Sequence, residues 1–336
     1  MPSRADARHR ELAGIEIRDE RTDVNSTQWS VGVDIGGTKS LAILLDGAGS
    51  VVAEHRTATQ PGAAAVAAGV VAAVRVLAAR IGLRPEDLAG VGVGVPGVVD
   101  PEHGTVENAV NLGIEVSVPL AAMISEQLGG VRVRVENDLN VAVLGAAHLI
   151  ETAGEGPADD LAFVALGTGL AAGLLLEGRL RRGPHLAAGE IGHLRYLPDG
   201  LPCKCGQVGC LERYASGSAL DAQWPSRTGR PAPAEVFEAA AGGDAVAIRI
   251  RDEFVAAVAA AVRILVLTCD VDRIVIGGGV SSLGAPLLDA LVGELDRQAA
   301  SSPFLAAADL ASRVRLAPLG VPVGAVGAAL AGRKDS

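Results

Sequence analysis

The sequence predicts an α/β protein made of two related lobes around a cleft. Three observations carry that expectation. Apolar runs of strand length alternate with longer helical segments along most of the chain. A strand, glycine turn, strand unit occurs twice, as SVGVDIGGTKSLAILLDGAG (30–49) and LAFVALGTGLAAGLLLEGRL (161–180); repetition of a whole supersecondary unit points to a duplicated architecture. The length of 336 residues suits about two domains, each able to bury a core.

Residues 1–29 are charged, lack an apolar period and read as a disordered or weakly structured tail. From residue 30, three strands separated by glycine turns predict an antiparallel start to a sheet. A helix follows over 63–81, a buried strand and its loop over 88–99, a helix over 118–128, a short strand over 131–135 and a helix over 139–150. The second hairpin occupies 161–180, and the loop-rich stretch 180–215 holds most of the cysteines. Residues 234–267 read as mostly helical, 273–276 as a strand, and 286–298 and 322–332 as helices. This gives a tail (1–29), an N-terminal lobe (30–135) and a C-terminal lobe (136–336). The last helix is a candidate to pack back on the first lobe.

Composition narrows the function. Lys plus Arg is 29 against Asp plus Glu 39, a formal charge of -10, which disfavours nucleic acid or an anionic membrane as the main partner. Aromatic residues are only 2%, too few for a base-stacking platform. Mean hydropathy is +0.34, but the longest uncharged stretches are broken by proline, glycine or arginine. With no apolar leader over residues 1–28, the expected location is the cytoplasm.

The first glycine turn, Asp34-Ile35-Gly36-Gly37-Thr38-Lys39, suits a phosphate: glycines let backbone N–H groups approach, and Thr38 adds a hydroxyl. It misses the P-loop pattern because Thr38 precedes Lys39 and a strand follows. Asp34 is a candidate to hold Mg²⁺. The literal GxGxxG at 92–97 is rejected, because Pro96 and its sequel open no helix. Gly167-Thr168-Gly169 is the second glycine turn, in the equivalent place of the repeated unit. In Glu136-Asn137-Asp138, Asp138 is either a helix N-cap or a general base at a strand end.

Cys203, Cys205 and Cys210 with His193 supply a Cys₃His set suited to a closed, structural zinc site in a loop over 193–210. Cys269 reads as buried core. Glu190 and Glu212 flank this loop as either ligand contacts or supporting carboxylates.

Together these stretches resemble the ROK family (repressor, open reading frame, kinase), especially its glucokinase-like members, from about residue 30 to 331. The matching stretches are VGVDIGGTK, GVGVPGVVD, ENAVNLG, VENDLNVAVLG, LGTG, GPHLAAGEIGH, CKCGQVGCLERYASG and IVIGGGVS. The resemblance implies the actin-like, sugar-kinase ATPase fold. It implies phosphate motifs at Asp34, Gly36, Gly37, Thr38 and Lys39 and at Gly167, Thr168 and Gly169, with Gly277, Gly278 and Gly279 near the adenosine. It further implies Asp138 as catalytic base, with Asn111, Asn137, Asp138, Glu190, His193 and Glu212 at the sugar. His193 then serves twice, one ring nitrogen on zinc and the other towards the sugar. The implied reaction moves the γ-phosphoryl group of ATP to a hexose hydroxyl, O6 of glucose, with Mg²⁺. A homodimer or homotetramer acting on small molecules is expected.

Two departures stand out. Leu170-Ala171-Ala172-Gly173 replaces further glycines after the second turn, and Ile114 follows Gly113 where an aromatic is common. The alternatives are a kinase for N-acetylmannosamine, N-acetylglucosamine or fructose, and a non-catalytic sugar sensor or regulator.

Overall fold

A computed structural model describes residues 29–226 and 228–333. They fall into two units. Among the described residues the first is built from residues 29–157, Arg182–Ala187 and residues 320–333; the second is Ala158–Arg181 with Ala188–Leu319.

In chain order the first unit begins with β1 (Ser30–Ile35), β2 (Lys39–Leu45), β3 (Val51–Ala58) and α1 (Ala63–Arg80). Then come β4 (Gly90–Val95), β5 (Val98–Asp100), β6 (Thr105–Glu107), α2 (Leu120–Gln127), β7 (Val133–Asn137) and α3 (Asp138–Thr152). Its sheet runs β3-β2-β1-β4-β7, with β1, β2 and β3 antiparallel and β4 and β7 parallel to β1. Every residue of β4 is buried, as expected of a central parallel strand. Helix α1 is 18 residues long with a mean hydropathy of 1.8, so by length and composition it could cross a membrane. Its buried face instead packs Val66, Val70, Val74 and Leu77 into the core of this unit.

The second unit holds β8 (Leu161–Leu166), β9 (Leu170–Leu176), β10 (Arg179–Leu180), α4 (Gly217–Gln223), α5 (Ala232–Ala241) and α6 (Ala245–Cys269). It continues with β11 (Arg273–Gly277), α7 (Ala285–Ala300), α8 (Pro303–Ala308), α9 (Leu310–Arg313) and β12 (Val314–Leu316). Its sheet runs β10-β9-β8-β11-β12, with the same directions as in the first unit. The repeat in sequence is therefore a repeat in topology. The helical stretch at 234–267 divides in two, because Gly243 takes φ +87° and Asp244 caps α6 by accepting from the N–H groups of Val246 and Ala247. Cys269 closes α6, half-buried against the core.

The last helix, α10 (Val323–Gly332), belongs to the first unit. So does α3, although the sequence reading ends the first lobe at 135. The cause is backbone-to-backbone packing. A Cβ on Gly145 would lie 2.0 Å from the carbonyl oxygen of Val323, and one on Gly327 would lie 1.7 Å from that of Val141. The sheet admits α10 in the same way, through Gly32 and Gly92, where a Cβ would meet the carbonyls of Ala325 and Ala328. The glycines that mimic a dinucleotide motif in β4 thus serve close packing.

Candidate active-site residues in each unit

In the first unit, Asp34 and Asn137 lie at the carboxyl ends of β1 and β7, on either side of β4. Loops and side chains at these ends are where open α/β sheets bind ligands. The turn after β1 is tight: the N–H of Gly36 donates to the carbonyl of Lys39 at 3.0 Å, and Thr59 Oγ1 donates to the carbonyl of Gly36 at 2.8 Å. Gly36, Gly37, Thr38 and Lys39 are exposed. Asn111 is exposed and packs on this turn; a Cβ on Gly37 would lie 3.2 Å from Asn111 Cβ. Ile114 is 2% exposed and forms a bridge with Ala109, so it belongs to the core.

Burial pushes the carboxyl of Asp34 up to about 6, and the charge of Asp138 adds to the effect. A carboxylate so placed gains from a cation, which fits it to a magnesium-bound phosphate group.

Asp138 is the first residue of α3, and the cap is its neighbour. Asn137 Oδ1 accepts from the N–H groups of Leu139 and Asn140, at 2.9 and 3.4 Å, and its Nδ2 donates to the carbonyl of Gly97 at 3.1 Å. Both ends of the Asn137 side chain are thus engaged within this unit. Asp138 Oδ1 accepts from its successor's N–H at 3.0 Å.

Behind them sits a group that local sequence reasoning missed. Glu136 is 1% exposed. It accepts from Arg182 Nε at 2.8 Å, from a second guanidinium nitrogen, from Asn140 Nδ2 at 2.9 Å and from the N–H of Asn137 at 3.1 Å. A buried carboxylate this well satisfied holds the start of α3 in place. Arg182 stands 46 residues away, and no short-range pattern announces the pair.

In the second unit, Gly167-Thr168-Gly169 joins β8 to β9. The N–H of Gly217 donates to the carbonyl of Gly167 at 2.7 Å. Ala171 and Ala172 are ordinary strand residues, paired with Ala165 and Val164, and Ala172 is buried in the core. At the end of β11, Gly277 packs against the ring of Phe163, where a Cβ would come within 2.3 Å. Gly278 takes φ +88° close to the carbonyl of Leu166.

His193, Cys203, Cys205 and Cys210 converge, with one ligand atom from each lying within 4.8 Å of the others. His193 Nδ1 is 3.9 Å from Cys203 Sγ, and Cys205 Sγ is 3.6 Å from Cys210 Sγ. A tetrahedral zinc with Zn–S bonds of ~2.3 Å separates its sulfurs by about 3.8 Å, so the cluster fits this ion. Hydrogen bonds from Gln207, its backbone N–H first, lower the Cys205 thiol to about 6, whereas burial pushes Cys210 up to about 12. Metal binding must therefore displace a proton. The other ring nitrogen of His193, Nε2, lies 4.0 Å from Glu190 Oε2. Glu190 is exposed, and Glu212 accepts from the N–H of Leu170 at 3.0 Å.

Comparison with protein-family models matches residues 30–334 to the ROK family. The chain belongs to the ROK family. It is 33% identical over 318 residues to the glucokinase of Streptomyces coelicolor, covering 89% of this chain and 96% of that protein. It is 31% identical over 252 residues to an N-acetylmannosamine kinase of Vibrio cholerae, covering 75% of this chain and 84% of that protein. Among solved structures, a ROK family glucokinase from Streptomyces griseus in complex with glucose and AMPPNP superposes with a TM-score of 0.70 at 33% identity. That match covers 90% of this chain and 99% of the other. The duplicated sheets described above are those of the actin-like ATPase fold shared by ROK sugar kinases.

The residues expected from this ROK sequence fall into two groups. The first unit contributes Asp34, the exposed turn, Asn111, Asn137 and Asp138; the second contributes both remaining glycine turns, the Cys₃His cluster, Glu190 and Glu212.

Proposed function

We propose that this ROK protein is an ATP-dependent hexose kinase, with glucose as its preferred acceptor. The observation that carries the reading is the pairing, at the carboxyl end of one sheet, of a half-buried Asp34, its carboxyl pushed up by desolvation, with Asp138 at the first turn of α3. One carboxylate suits a phosphate-bound cation, and the other suits a general base. The kinship with glucokinases at 33% identity supports the same reaction.

In the reaction, Asp138 accepts the proton of the 6-hydroxyl as that oxygen bonds to the γ-phosphorus and the bond to the β-phosphate oxygen breaks. Gly37, Thr38, Thr168 and Gly169 bring backbone or hydroxyl donors to the phosphates, in turns closed by the N–H groups of Gly36 and Gly167, which donate to the carbonyls of Lys39 and Gly169, with Lys39 beside the first turn and Gly277, Gly278 and Gly279 towards the nucleoside. Asp34 would hold Mg²⁺ with the phosphates, and the ion would supply positive charge there. Asn111, Asn137, Glu190, His193 and Glu212 order the sugar hydroxyls. His193, Cys203, Cys205 and Cys210 would hold a zinc ion that ties down the loop presenting Glu190 and Glu212. A cytoplasmic homo-oligomer working on small molecules completes the proposal.

The likeness to an N-acetylmannosamine kinase supports a second acceptor class. A coupled ADP-release assay with Mg-ATP separates the two, run against glucose, fructose, N-acetylmannosamine and N-acetylglucosamine. Turnover on glucose is expected, and Asp138→Asn should cut kcat by about 10²–10⁴-fold while sugar binding persists. Absence of turnover on every sugar, in folded and zinc-loaded protein, would leave a sugar sensor as the better reading.

A further inference from the structure

The loop that carries the Cys₃His cluster is stitched to the second glycine turn. Glu212, two residues after Cys210, sits in a single helical turn over Leu211–Arg213. Its Oε2 accepts the N–H of Leu170, the residue that ends the turn, at 3.0 Å. The fit requires glycine before it: a Cβ on Gly169 would lie 2.3 Å from the same carboxylate oxygen.

Three further contacts hold the two segments together. The N–H of Ala172 donates to the carbonyl of Gly189 at 2.9 Å. Gly192 packs so closely that a Cβ there would lie 2.1 Å from the carbonyl of Leu170 and 3.3 Å from Glu212 Cβ. At the other end of the turn, the N–H of Gly217 fixes the carbonyl of Gly167. The turn is therefore held at both ends by the segment that begins with the cysteine loop and runs into α4.

From these contacts we infer that Glu212 is a positioning residue for the phosphate turn at 167–169. One carboxylate oxygen anchors the Leu170 N–H, and the other remains for a sugar hydroxyl. The inference rests on the kinase reading and deepens it. A nucleotide site and an acceptor site then share one side chain, so the loss of Glu212 is felt by the nucleotide even when no sugar is present. Such a backbone anchor needs an acceptor at the right reach; a carboxamide oxygen supplies one.

The test is equilibrium binding of Mg-AMPPNP without sugar, by calorimetry, in wild type, Glu212→Ala, Glu212→Gln, Gly169→Ala and the double variant Gly169→Ala/Glu212→Ala. Zinc content and thermal unfolding are measured in parallel. A hydrogen bond to a charged group corresponds to roughly 10-fold or more in affinity. Glu212→Ala should weaken AMPPNP by about that factor with zinc retained, and Glu212→Gln should recover most of it. Gly169→Ala, which keeps the carboxylate but pushes it off the Leu170 N–H, should weaken AMPPNP too and add little in the Glu212→Ala background. Wild-type affinity in Glu212→Ala, or fully additive losses in the double variant, would overturn the inference. Should Glu212→Ala not fold, Gly169→Ala alone decides: unchanged affinity sinks the proposal. Wild-type protein that binds no AMPPNP and phosphorylates no hexose would refute the kinase reading itself, an outcome visible before any variant is made.

Discussion

Asp34 shows at the level of one residue how the role proposed for a side chain can oppose stability. Its carboxyl ionises near pH 6 in the folded protein, against 3.8 ordinarily, because burial disfavours the charge. Between about pH 4 and pH 6 the unfolded chain releases this proton while the folded chain keeps it. Rising pH therefore removes stability across that window. Asp34→Asn should unfold at higher denaturant than wild type at pH 7.5, by about 3 kcal/mol, with no nucleotide or Mg²⁺ present. At pH 4 the gain should vanish. An equal gain at both pH values would mean that ionisation of Asp34 is not the cause. Under the proposed reaction the same variant should lose phosphoryl transfer, since the charge that costs stability is the one assigned to the cation. Arg182 is the opposite case. Removing it strips a buried carboxyl group of its guanidinium partner, so Arg182→Ala should cost about 3–5 kcal/mol in chemical denaturation. Adding Glu136→Gln should return part of the loss, because a neutral amide needs no counter-ion.

At the level of elements, helix α3 carries the candidate base at its first residue and is set in place by α10. The two backbones touch through Gly145 and Gly327. Gly327→Ala would drive a methyl group into the carbonyl of Val141, which no rotamer change can relieve. Thermal unfolding should fall by an amount equivalent to about 1–3 kcal/mol or more. The surviving folded enzyme should show a lower kcat, because the displaced α10 abuts both α3, with its candidate base, and Asp34. The element scale also shows what sequence reading could reach. The two hairpins and the helices at 63–81 and 286–298 are legible because each has its own period and its own glycine or proline punctuation. The split of 234–267 into α5 and α6 was signalled by Gly242-Gly243-Asp244 but is hidden in a uniformly alanine-rich composition.

Over the whole molecule, the duplicated strand–turn–strand units, the two glycine turns, the Cys₃His set and the kinship with sugar kinases are legible in the linear chain. These depend on spacings of a few residues, and short spacings survive folding unchanged: Cys203, Cys205 and Cys210 are neighbours in any compact loop. Which glycines lie exposed in a turn and which admit a helix is settled by long-range packing. Gly92 and Gly36 look alike in sequence, yet the first packs under α10 and the second lies exposed in a turn. Only the tertiary structure decided that Asn137, not Asp138, caps α3, that Glu136 is paired with Arg182, and that Glu212 reaches the N–H of Leu170. Each of these joins residues or backbone groups whose partnership depends on orientation or on long chain separation. Side-chain direction and long-range packing are set by the assembled core, and a linear pattern does not encode them locally.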